Sequence, residues 1–210
     1  MSELSFISFD SITGKRCKDT NLYTSKQSNL ANYPPHPWQE EANTESPPLV
    51  RLHNEIIKFC QFVYPLKSEI VSREKVVQDI NNIALSLWDD CELQLFGSQS
   101  TRILTSCSDI DIAFVNVPTR ENTLNCTKSD VDRLFELGNK IKSTGLVSYL
   151  EVISNAKVPI IKMDHISSGL SVDICINNET GQETGQFVAQ AIQQYPALRP
   201  LTIVLKIFLV

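Results

Sequence analysis

The sequence predicts an α/β (α+β) chain, a mixed sheet with flanking helices, on three observations. Period-two runs of apolar residues recur at 92–96, 109–117 and about 148–153, 158–163 and 170–176, and read as strands. Apolar residues at helical spacing fill the intervals. Gly, Pro and Ser punctuate the boundaries, most clearly at Ser167-Ser168-Gly169, which predicts a hairpin between the last two strands.

In order along the chain, residues 1–48 are polar and interrupted by Pro34, Pro35, Pro37, Pro47 and Pro48, and read as a flexible arm. Trp38 is the side chain that could pin that arm to the domain. Leu49, Leu52, Ile56, Ile57, Phe59, Cys60 and Val63 form the stripe of a first helix that Pro65 stops. A second helix, about 72–87, has Ser72 as its expected N-cap and Val76, Val77, Ile80, Ile83, Ala84 and Leu87 inward. Strand 92–96, a Gly-Ser turn with a short helix, and strand 109–117 follow, the last closed by Pro118. A helix at about 128–143, three strands, and helices at about 182–193 and 198–209 complete the chain.

Composition narrows the class. The 210 residues are 42% hydrophobic, enough for one substantial core and part of a second. A net charge of −5 without a clustered run of Lys and Arg implies weak grip on nucleic acid, because phosphate contacts need concentrated positive charge. The six cysteines form no C-x-x-C pair and read as reduced and mostly buried; the three histidines are too dispersed for zinc. Neither a secretory signal nor an apolar run of membrane-spanning length is evident, so the expectation is a soluble intracellular protein without a membrane partner.

The chemistry concentrates in two segments. Leu95-Phe96-Gly97-Ser98-Gln99-Ser100-Thr101-Arg102 places a Gly-Ser turn between a strand and a short helix. Ser108-Asp109-Ile110-Asp111-Ile112 follows, with two aspartates one residue apart in an apolar run. On a strand Asp109 and Asp111 face the same way, and paired carboxylates suit a hard divalent cation such as Mg²⁺. Gly97 lets a phosphate approach the backbone, and Ser98 offers it a hydroxyl. Arg102 reads better as a solvated charge. Asp173, in the later strand Val172-Asp173-Ile174, supplies a third carboxylate. A D-x-D pair alone is more often a solvated edge. Joined to the turn and the third aspartate, it points to phosphoryl or nucleotidyl transfer with two metal ions.

These residues carry a family resemblance. The run from Gly97 to Asp111 resembles the signature of the DNA polymerase β-like nucleotidyltransferases. Arg51-Leu52-His53-Asn54-Glu55-Ile56, Glu92-Leu93-Gln94-Leu95-Phe96-Gly97-Ser98 and Ala156-Lys157-Val158-Pro159-Ile160-Ile161-Lys162 are similar to non-templated poly(A) polymerases of the TRAMP, or DNA polymerase sigma, type. The resemblance covers about 37–210.

It implies a polymerase-β-like fold and transfer of AMP from ATP to an RNA 3′ end, with Mg²⁺ or Mn²⁺ as cofactor. It also implies a nuclear or nucleolar setting of RNA surveillance and exosome-linked decay. Partners implied are a zinc-knuckle RNA-binding protein and a helicase. Asp109 and Asp111 would hold both ions and Asp173 the one nearer the attacking hydroxyl. Lys206, in Val204-Leu205-Lys206-Ile207-Phe208-Leu209, would touch the triphosphate, and Asn177 or Thr180 the ribose; Thr180 also suits a helix N-cap. The implied organisation is an arm at 1–48, a helix at 49–66 belonging to a central domain, a catalytic domain at 67–180, and the start of a truncated central domain at 181–210. That truncation leads to the expectation that Ile203, Phe208 and Leu209 lie partly uncovered. Two other readings stay open: terminal uridylyl transfer, and an inactive remnant acting as a binding module.

Overall fold

A computed structural model describes residues 36–39, 46–124, 126–178 and 180–209. The elements are α1 (Pro48–Phe62), α2 (Lys67–Leu85), β1 (Glu92–Leu95), α3 (Gly97–Ser100), β2 (Ile110–Val115), α4 (Asp130–Ser143), β3 (Val147–Ile153), β4 (Ile160–His165), β5 (Ser171–Ile176), α5 (Thr180–Gln194) and α6 (Leu198–Phe208). They fall into two compact units. One holds Pro65–Leu104 and Ser108–Tyr195; the other holds α1, Thr105–Cys107 and the chain from Pro196.

The larger unit is built on a five-stranded mixed sheet of order β1-β2-β5-β4-β3. Only β2 and β5 run parallel; the other neighbours are antiparallel. The two central strands owe their position to one fully apolar face: Ile110, Ile112, Phe114, Val172 and Ile174 are completely buried. They pack with Val76, Ile80 and Ala84 of α2 and Leu134, Leu137 and Ile141 of α4 in a single core. Burying such side chains is worth about 1.5–3 kcal/mol each. Phe114→Ala should therefore cost about 3–5 kcal/mol, read as a lowered urea midpoint.

Local chemistry sets the ends. Ser129 caps α4: its hydroxyl accepts from the Asp132 N–H at 3.2 Å, and the Asp132 carboxylate accepts from the Ser129 N–H at 2.8 Å. Acidic residues in the first turn and Lys140 and Lys142 in the last suit the helix dipole. The β4–β5 hairpin closes as expected, with Gly169 at φ +67° and its N–H on the His165 carbonyl at 2.9 Å. β4 starts at Ile160 rather than 158, because Pro159 has no N–H for the ladder. The Ser72 cap is corrected: α2 begins at Lys67, where the Glu69 carboxylate accepts from the Leu66 N–H at 2.6 Å. Ser72 lies inside the helix, its hydroxyl donating to the Ser68 carbonyl.

In the smaller unit α1 packs on α6, with Cys60 Sγ 3.9 Å from the Pro200 carbonyl. Trp38 stacks on His36, with ring centroids 4.6 Å apart, and sets its edge against Phe59. The rest of the expected arm lies almost wholly outside the described residues. One expectation for α6 is corrected: Ile203 is 0% exposed, because α6 turns this residue inward, while Phe208 and Leu209 are exposed. α5 groups with the sheet rather than with the chain from Pro196. Cβ atoms built at Gly181 and Gly185 would stand 3.0 Å from the Phe96 ring and from Ser100 Oγ, so α5 lies close against α3.

Candidate active site

Alternation along β2 and β5 creates the site. With Ile110, Ile112, Val172 and Ile174 committed to the core, Asp111 and Asp173 must project from the opposite face. The parallel register pairs Asp111 directly with Asp173. On the other side of β5, Lys162 of β4 is paired with Asp173. A carboxylate, a carboxylate and an ammonium thus stand side by side on three adjacent strands. Lys162 Nζ lies 3.4 Å from Asp173 Oδ1, an ion-pair distance. That Oδ1 is buried and accepts no hydrogen bond.

Burial pushes the Asp173 carboxyl above its ordinary range; Lys162 opposes the shift and Asp109 adds to it. A raised folded-state value means that Asp173 favours the fold when protonated. That contribution is complete below the ordinary carboxylate range, near pH 4, and disappears as pH rises through the folded value. Asp173→Asn should therefore raise the melting temperature at pH 7 and show no such advantage near pH 3, a difference that thermal melts at the two pH values resolve.

Gly97 follows β1 after one residue, Phe96, and takes φ +63°. An added Cβ would sit 2.0 Å from Asp111 Oδ2, so the glycine is what admits the Asp111 carboxylate. The Phe96 N–H donates to the Asp111 carbonyl at 3.2 Å, tying turn to strand. Thr101 Oγ1 donates to the Gly97 carbonyl at 2.8 Å, and Ser100 Oγ does so at 3.1 Å. Ser98 is buried in the single turn of α3. Arg102 is exposed with φ +62°.

The remaining candidates are placed as follows. Asp109 lies one residue before β2, and it is exposed. Asn177, with φ +50°, uses its amide structurally. Its Nδ2 donates to the Val117 carbonyl and to Asp130 Oδ1, each at 3.0 Å, and its Oδ1 accepts from the Val117 N–H at 3.2 Å. Both amide protons are thereby occupied. Thr180 is the exposed first residue of α5, its N–H donating to Asn178 Oδ1 at 3.2 Å. Lys206 stands in the last turn of α6, half-buried, within the smaller unit.

The donor set of Asp109, Asp111 and Asp173 is all oxygen, the chemistry of Mg²⁺ and Mn²⁺ sites, and the buried Asp173 Oδ1 accepts no hydrogen bond. Among the described residues no three His, Cys, Asp or Glu side chains stand arranged to hold an ion. Asp173 instead faces an ammonium. That pairing escaped the sequence reading, which quoted Lys162 within its motif without a partner; the period-two spacing of Lys162 and Asp164 in β4 was the available signal. Cys175, two residues beyond Asp173, is buried with its thiol pushed up to about 11 by desolvation, which makes it inert.

A mixed sheet with in-register aspartates on its central strands, preceded by a glycine turn against one of them, defines a polymerase-β-like nucleotidyltransferase fold. The profile of the family described as "poly(A) RNA polymerase, mitochondrial-like, central palm domain" matches residues 52–193. The chain belongs to that family. It is 32% identical over 191 residues to poly(A) RNA polymerase cid14 of Schizosaccharomyces pombe, covering 91% of this chain and 27% of that protein. It is 32% identical over 158 residues to poly(A) RNA polymerase protein 1 of Saccharomyces cerevisiae, covering 75% of this chain and 24% of the relative. The solved polymerase core of TRAMP, an RNA surveillance complex, superposes with a TM-score of 0.64 at 29% identity, covering 75% of this chain and 47% of that one. The chain thus spans about a quarter of the length of these curated relatives.

Proposed function

We propose that this chain carries the catalytic palm of a template-independent polynucleotide adenylyltransferase, which adds AMP from ATP to RNA 3′ ends. The observation that carries the reading is the in-register pair Asp111 and Asp173, with Gly97 closed against Asp111. The roles of the residues follow from their positions. Asp111 and Asp109 hold the cation side of the triphosphate. Asp173, whose proton affinity is raised by burial, joins them as ligand to the cation nearer the attacking 3′-hydroxyl, orients that hydroxyl and receives its proton. Ser98 meets a phosphate oxygen from the turn, and Lys206 is the further phosphate contact that the family pattern suggests. Thr180 is the better placed of the two ribose candidates, since the Asn177 amide protons are already bonded. Mg²⁺ or Mn²⁺, when bound, would neutralise phosphate charge and acidify the hydroxyl.

The 32% identity to two poly(A) RNA polymerases supports ATP as the nucleotide. Likeness to the polymerase core of TRAMP supports a nuclear surveillance setting, with protein partners that supply the RNA grip missing from a chain of net charge −5. We place α1 and α6 with a helical central domain because they share one compact unit. The test is incubation of the purified chain with a labelled oligoadenylate primer, Mg²⁺ or Mn²⁺ and each nucleotide separately. Extension by ATP supports the reading. Extension by UTP alone would make the protein a uridylyltransferase, and no extension, even with the chain in its full-length context, would leave the inactive binding module.

A further inference from the structure

The sheet face that carries Asp111 and Asp173 continues across two more strands. Asp111, Asp173, Lys162 and Glu151 form one row, each paired in register with the next, over β2, β5, β4 and β3. Lys162 therefore stands between two carboxylates, Asp173 on one side and Glu151 on the other. Directly opposed cross-strand residues have Cβ atoms about 4.5–5.5 Å apart, within reach of a flexible lysine stem in either direction. In this structure the ammonium sits 3.4 Å from Asp173 Oδ1, while Glu151 takes its hydrogen bond from the Tyr149 hydroxyl. The other acid on this face of β4, Asp164, is engaged by the Ser171 hydroxyl at 2.6 Å, which leaves Glu151 as the second seat.

We infer that Lys162 is a displaceable counter-ion: it occupies Asp173 until a divalent cation takes that carboxylate, and then moves across the row to Glu151. The inference rests on the reading of Asp173 as a cation ligand. Three observations carry it. Asp173 Oδ1 is buried with no hydrogen bond, and among the described residues the Lys162 ammonium is the cation paired with it. Both side chains reach solvent in part, 35% of Lys162 and 23% of Asp173, although Oδ1 itself is covered. Glu151, on the edge strand β3, is exposed and can receive the ammonium at little desolvation cost. The Lys162 ammonium beside Asp173 also repels an arriving cation. Lys162 thereby keeps cation affinity low in the empty site, and the negative charge of a triphosphate offsets that repulsion, so that the two ligands favour one another.

The experiment is titration of the 210-residue chain with Mn²⁺ in the absence of nucleotide, with free ion followed by electron paramagnetic resonance. Lys162→Met, of similar length and uncharged, should tighten Mn²⁺ binding by about tenfold, the discounted effect of one unit charge at a half-exposed site. Lys162→Arg should stay near the parent, since the charge remains. Glu151→Gln should weaken binding a few-fold, by removing the second seat. Circular dichroism confirms that each variant is folded. Unchanged or weakened binding in Lys162→Met would overturn the inference. Asp173→Asn separates it from the reading beneath: loss of Mn²⁺ binding there with no gain in Lys162→Met sinks only the counter-ion role, whereas unchanged binding in Asp173→Asn sinks both.

Discussion

Asp111→Ala should lower AMP transfer by about 10³-fold while leaving the fold intact. Cation-mediated charge neutralisation supplies several kcal/mol at the transition state, and about 4 kcal/mol corresponds to three decades in rate. Asp111 is placed to contribute that term: it projects from a central strand, in register with Asp173, on the face away from the core. Its strand neighbours Ile110 and Ile112 hold β2 in place through their burial, so removing the carboxylate leaves the packing untouched. Single-turnover extension of a labelled primer and thermal melting of the same samples check both halves. A variant with near-parent turnover would remove Asp111 from the chemistry.

Gly97→Ala should cost at least about 10²-fold in the same assay through a different cause. The residue takes φ +63°, where an alanine is strained. The added methyl would also lie 2.0 Å from Asp111 Oδ2, far inside contact distance, so the carboxylate must move. A shift of about 1 Å in a reacting group costs on the order of 10² in rate. Stability should fall only by about 1 kcal/mol, the scale of a left-handed alanine. Substituting Gly145, also at φ +72° but with nothing within 4 Å of an added Cβ, provides the comparison: similar backbone strain and full activity. Equal losses at both positions would show that strain alone, without displacement of Asp111, accounts for the effect.

The fold was legible in the sequence wherever burial enforces a strict period. Ile110-Asp111-Ile112 and Val172-Asp173-Ile174 can satisfy a core only in one orientation, so both strands and the outward face of their aspartates follow from alternation. Helix starts were less legible: α2 begins after Leu66, which has no capping side chain, and the Glu69 carboxylate accepts from the Leu66 N–H instead, whereas Ser72 looked the more obvious cap. Ile203 is buried on a helix, α6, that packs on α1 about 150 residues earlier in the chain, and such a non-local packing decision leaves no local mark. The same holds at the site. At Gly97 the residue type signals a close approach, but that an added Cβ would meet the Asp111 carboxylate is visible only in the folded chain. Asn177 invited a ligand role through its position after a strand; its left-handed backbone and bonds to Val117 and Asp130 become visible only once β2 and β5 are side by side. Lys162 belongs to Asp173 through strand register, which composition does not reveal.

The central claim is that Asp111 and Asp173 together form the cation seat of a nucleotidyl-transfer site. Crystals grown with Mn²⁺ and a non-hydrolysable ATP analogue, examined by anomalous diffraction at the manganese edge, test it most directly. The account predicts an anomalous peak in contact with both Asp111 and Asp173, with the triphosphate on the Gly97 side of the ion and the Lys162 ammonium withdrawn from Asp173. An analogue bound with its manganese elsewhere, and both carboxylates left without metal, would contradict it.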